Sequence, residues 1–117
     1  MMRATCVVMA GAAALAASAA AGKDKHPLGS ERNPVKVEMP QGERAYLDRL
    51  RCPDGSAPAY ERQGSGGPAP DGDIVDFYAV TCPGAEPVTV VMDMYHRDRE
   101  DRPVPGFTIV PRSESKR

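Results

Sequence analysis

The chain has 117 residues, with 15 Lys plus Arg against 16 Asp plus Glu, so its formal net charge is −1. That length accommodates one domain at most, which excludes a two-domain cofactor enzyme. The balanced charge also lacks the basic excess of a dedicated nucleic-acid binder.

Residues 1–22 start Met1-Met2-Arg3, run through a weakly apolar stretch in which Ala fills ten of the 22 positions, and close in small residues. A basic start, an apolar middle and an Ala17-Ser18-Ala19 or Ala19-Ala20-Ala21 exit are the parts of a secretory signal peptide. An uncleaved anchor helix is the competing reading, since about 18 residues can just span a bilayer. Gly11, Ser18 and the marginal hydropathy of Ala favour cleavage, and Cys6 sits too early for a lipoprotein. Cleavage near Ala19 to Gly22 leaves 14 basic and 16 acidic residues, with no membrane span and no electrostatic pull toward nucleic acid. The expected address is the periplasm or the medium.

From Lys23 onward 95 residues carry 9 Gly and 12 Pro, which makes a loop-rich but foldable chain. Residues 23–40 read as an N-terminal arm that becomes a short extended segment near Asn33 to Met39, around Val35-Lys36-Val37. Gln41 to Arg51 is the helix candidate: its residues favour helix, and Tyr46, Leu47 and Leu50 fall on one face. Gly42 would cap it, and a strand over 42–51 stays open as the alternative. Ala57 to Gln63 suits a short strand, and Gly64 to Gly72 a flexible loop.

The clearest pattern follows. Asp73 to Cys82 and Val88 to His96 are rich in Val, Ile, Tyr and Phe and flank a Pro-Gly turn, as in an antiparallel hairpin. Arg97 to Arg102 alternates charges and reads as a solvated loop. Val104 to Val110 supplies a last strand, and residues 111–117 a polar tail. After the leader, 23 residues of Ile, Leu, Val, Phe, Met and Tyr suffice for one small core. The expectation is an α+β domain over 41–110, one helix packed on a three- to four-stranded antiparallel sheet. An all-β sandwich or barrel is the alternative.

With Cys6 gone, Cys52 and Cys82 form an even pair in an exported chain, each at an element–turn junction, and read as one disulfide. No Cys-x-x-Cys and no paired base suggests a redox site.

Candidates for chemistry are few. Met92, Met94 and His96 alternate along the second hairpin strand, a donor set that suits copper(I). The competing reading is a buried methionine face ending in a histidine that meets solvent. Asp76 and Asp93 interrupt apolar strands, and with His96 they would make a hydrolase-like acid–base site if they converged. Structurally, each aspartate would instead accept backbone N–H bonds or pair with arginine, with Arg49, Arg51 and Arg97 as partners. His26 lies in the arm, and no Gly-x-Ser-x-Gly elbow or phosphate loop exists; Gly64-Ser65-Gly66-Gly67-Pro68-Ala69 matches a dinucleotide pattern without its strand–helix context. No cofactor is expected.

The phrases Gly42-Glu43-Arg44-Ala45-Tyr46-Leu47-Asp48-Arg49-Leu50-Arg51-Cys52-Pro53-Asp54-Gly55, Met92-Asp93-Met94-Tyr95-His96 and Val104-Pro105-Gly106-Phe107 resemble a group of small exported proteobacterial proteins of unassigned function. The resemblance covers most of residues 29–110. It implies a bacterial envelope setting and carries no activity or site residues with it. The favoured reading is a non-enzymatic binding or accessory module with a possible envelope protein partner. A hydrolase centred on Asp76, Asp93 and His96 and a copper binder through Met92, Met94 and His96 are the alternatives, and the oligomeric state is open.

Overall fold

The computed structural model describes residues 25–112. The signal-peptide reading of residues 1–22 and the end of the polar tail lie outside that range. Within it the elements are β1 (Val35–Lys36), α1 (Met39–Arg49), β2 (Leu50–Arg51), β3 (Ala59–Gly66), β4 (Val75–Thr81), β5 (Val88–Asp93) and β6 (Thr108–Ile109). Strands order as β1-β5-β4-β3, with β2 and β6 forming a separate two-stranded ladder. The α+β class holds, and the sheet is open rather than a closed barrel. One pair departs from expectation: β1 runs parallel to β5, with Val35 opposite Met92, so the sheet is mixed.

The helix sits two residues earlier than the sequence predicts. Pro40 occupies its first turn, where a missing N–H costs nothing. Glu38, rather than Gly42, is the N-cap residue. Helical geometry stops at Leu50, whose ψ of 147° is extended, because Leu50 and Arg51 pair with Ile109 and Thr108. The last strand predicted over Val104 to Val110 therefore shrinks to Thr108–Ile109 and joins the helix exit instead of the main sheet.

The central hairpin is as anticipated, but β5 ends at Asp93 rather than His96. Strand β3 extends to Gly66 through an irregularity between Arg62 and Gly64, so Gly64 to Gly66 belong to a strand and not to the loop.

Alternation splits the sheet into two faces. On the helix side Tyr46, Leu47 and Leu50 pack against Val35, Val37, Tyr78, Val80, Val90, Met92 and Val104, all buried. On the far side Ala69, Val75 and Val91 make a smaller cluster with Phe77 against it. The presumed arm is part of this fold from Pro27 onward: the Val91 N–H donates to the Gly29 carbonyl at 2.7 Å, and Pro34 and Val35 are buried. The ordered unit thus begins well before residue 41.

Two features tie the ends. Cys52, just after β2, is bonded to Cys82, just after β4, with Cα atoms 5.8 Å apart. Arg49 is buried, donates to the carbonyls of Val110 and Glu100, and pairs with Asp101 at 3.0 Å. The 97–102 run is for that reason partly docked onto α1 and not wholly solvated. No helix among the described residues is long and apolar enough to cross a membrane.

Candidate metal centre

On the far face, the loop before β4 and the end of β5 meet. The loop closes tightly: the Gly72 N–H donates to the Ala69 carbonyl, and the Ala69 N–H to the Asp73 carbonyl, both at 2.8 Å. Gly72 has φ of 95°, a left-handed conformation that glycine adopts without steric cost. The Asp73 N–H also donates to Asp71 Oδ1 at 3.2 Å. This closure throws both Asp71 and Asp73 to the same side, while buried Ala69 anchors the loop in the small apolar cluster.

The other half comes from the chain leaving β5. Asp93 is fully buried, and its Oδ1 accepts the Tyr95 N–H at 3.0 Å. That bond turns the backbone and ends the strand alternation, so His96 folds back over Asp93 instead of continuing in line. The His96 N–H donates to the Val37 carbonyl at 3.1 Å, which fixes the turn to the segment after β1.

The result is one imidazole nitrogen among three carboxylates. His96 Nε2 lies 3.0 Å from Asp71 Oδ2, 3.0 Å from Asp93 Oδ2 and 3.4 Å from Asp73 Oδ2. One oxygen from each aspartate and the imidazole nitrogen all lie within 4.8 Å of one another. The side chains grade from 1% exposed at Asp93 through 23% at His96 to 40% at Asp71, so the group is closed at the sheet and open to solvent.

A single N–H cannot satisfy three acceptors. The spacing has another meaning. Ligand atoms about 2.1 Å from a common ion stand about 3.0 Å apart at octahedral and about 3.4 Å apart at tetrahedral angles. Charge points the same way. Three carboxyls gather at one point, and Lys36, the register partner of Asp93, lies on the same face. His96 Nδ1 is 3.8 Å from Asp98 Oδ2, longer than a hydrogen bond.

The two loop aspartates divide. The Asp73 N–H, then His96, hold the Asp71 carboxyl below the usual range, with Lys36 adding to the effect. The nearby Asp93 carboxyl, with some desolvation, raises that of Asp73.

The structure brings Asp93 and His96 together and leaves the other sequence candidates elsewhere. Asp76 is the cross-strand partner of Met92 and faces the helix, on the opposite side of the sheet from Asp93. Met92 is fully buried in the main core and Met94 packs against it, whereas His96 sits with Asp71, Asp73 and Asp93. The arginine partners also differ from expectation: Asp76 pairs with Arg62 at 2.9 Å, whereas Arg49 holds Asp101. Asp71 and Asp73 escaped the sequence reading. Their signal was two acids flanking a glycine in a turn, next to a strand start, which also fits an ordinary loop. Comparison with protein-family models, curated proteins and solved structures finds no match, so the site's reading rests on its geometry.

Proposed function

We propose that the protein is a small, disulfide-stapled, non-enzymatic binding module of the bacterial envelope whose ligand is a divalent cation held by Asp71, Asp73, Asp93 and His96. The observation that carries this reading is the convergence of three carboxylate oxygens on His96 Nε2 at 3.0, 3.0 and 3.4 Å. Carboxylates favour hard ions and imidazole favours the later first-row metals, so the mixed set is best matched by Mn²⁺ or Zn²⁺. It is a poor match for copper(I), which prefers sulfur. The open side leaves room for water or for a group from an envelope partner to complete the coordination. Catalysis has less support, because the acid that a hydrolase would recruit, Asp76, is on the other face.

Calorimetric titration of the oxidised, metal-stripped protein with Zn²⁺ and with Mn²⁺ tests the reading. One equivalent should bind, and Asp93→Asn, which keeps an oxygen for the Tyr95 N–H, should weaken binding at least about tenfold. Absence of saturable binding, or equal affinity in Asp93→Asn, overturns it.

A further inference from the structure

A second carboxyl group of this molecule is in an unusual setting, far from His96. The inward stripe of α1 contains Glu43, Tyr46 and Leu47. The i, i+3, i+4 spacing places a carboxyl on the same face as two large apolar anchors. Glu43 is 1% exposed.

Two groups of β4 meet it. Tyr78 Oη donates to Glu43 Oε1 at 3.0 Å, and Asp76, two residues before Tyr78 on β4, presents its buried carboxyl on the same face of the sheet. The second oxygen, Glu43 Oε2, is buried and accepts no N–H or O–H among the described residues. Strand β3 provides the cation: Arg62 Nη2 is 2.9 Å from Asp76 Oδ1, with the arginine side chain half exposed. From β1 and β5 the buried side chains on this face are Val35, Val90 and Met92, all apolar.

These partners leave the charges unbalanced. Two ionised carboxylates against one half-solvated guanidinium leave a negative charge in apolar surroundings, which is costly. A single proton held by this pair of acids removes that charge. Burial first, and the Asp76 contact second, push the Glu43 pKa up from 4.5 to about 8; the Tyr78 hydrogen bond and the Arg62 charge oppose this without prevailing.

We propose that Glu43 and Asp76 share one proton and thereby seat α1 on the sheet, and that the seat loosens in mildly alkaline solution as the proton passes to solvent. The sign follows from linkage. Between the unfolded value of 4.5 and the raised folded value, the native state binds more protons than the unfolded chain. The contribution to stability is full below that window and is lost as pH rises through it.

Thermal unfolding of the intact, disulfide-bonded protein in chelator, from about pH 5.5 to about pH 9.5, tests the proposal against Glu43→Gln. The amide keeps an oxygen for Tyr78 and donates its N–H to Asp76, reproducing the protonated state without a titrating group. The wild-type midpoint should fall by about 5 °C or more across the range. The profile of Glu43→Gln should be flatter and lie above that of the wild type at the alkaline end. Any titration on the His96 side is common to both proteins, so the difference between the profiles reads the shared proton. Parallel profiles, or a flat wild-type profile, overturn the proposal. Should Glu43→Gln fail to fold, carbon-13 NMR of the wild-type side-chain carboxyls replaces it: a Glu43 signal titrating above pH 7 supports the shared proton. One titrating with the exposed carboxylates refutes it.

Discussion

On the helix side of the sheet, two buried carboxyls meet one buried phenol and one half-exposed arginine. On the far side, three carboxylates meet one imidazole at the solvent boundary. Both groups are acid-rich, and both draw on the central hairpin, through Asp76 and Tyr78 in one case and Asp93 in the other. Their answer to excess negative charge differs because their access to ions differs. A sealed site can admit only a proton, whereas a half-open one can admit a hydrated cation and strip it. Burial, more than residue type, assigns the chemistry.

The largest expected effect spares both groups and tests whether they share a scaffold. Replacing both Cys52 and Cys82 by Ser opens a link across a sequence separation of 30, which should cost about 3.6 kcal/mol in urea denaturation on chain-entropy grounds. A smaller loss would mean that the β2–β6 ladder and Arg49 hold the helix exit by themselves.

Cation binding comes next. Zinc at about 100 times its dissociation constant should stabilise the wild type by about 2.7 kcal/mol. Differential scanning fluorimetry should show an equal gain in Glu43→Gln and at most about half of it in Asp93→Asn. Loss of the gain in Glu43→Gln would show that the two faces are energetically joined.

Tyr78→Phe should have the smallest effect, about 1 to 2 kcal/mol in urea, since it deprives a buried oxygen of its donor. Its carboxyl partner should then hold its proton to still higher pH, because the Tyr78 hydrogen bond is one of the influences that lower the Glu43 pKa. The zinc-dependent shift should be unchanged.

Much of the scaffold was legible before the fold was known. Alternating apolar residues announced the hairpin, Tyr46 and Leu47 announced a helix face, and the even cysteine pair announced the Cys52–Cys82 bridge. Those signals are local or follow from compartment chemistry. The helix start was misplaced because Gly42 resembles a cap, while Pro40 and the hydrogen bonds around Glu38 set the entry earlier. The extended segment around Val35-Lys36-Val37 was legible, but its parallel pairing was not, because its partner, β5, lies more than 50 residues downstream.

The sites show the same division more sharply. Asp93 stood out as a polar interruption of a strand and His96 as the histidine at its end, but alternation placed His96 with the methionines. The Tyr95 N–H bonded to Asp93 breaks that alternation, and no spacing rule reveals such a bond. Asp71 and Asp73 were hidden in a turn-like sequence, and Glu43 was hidden in a helix where a glutamate ordinarily faces water. The chain's own order of residues determined the elements and the covalent bridge, because propensity and periodicity act over a few neighbours. Only the tertiary structure decided which acids are sealed, which are open and which meet a histidine, because desolvation and convergence depend on what other segments bring to the same point.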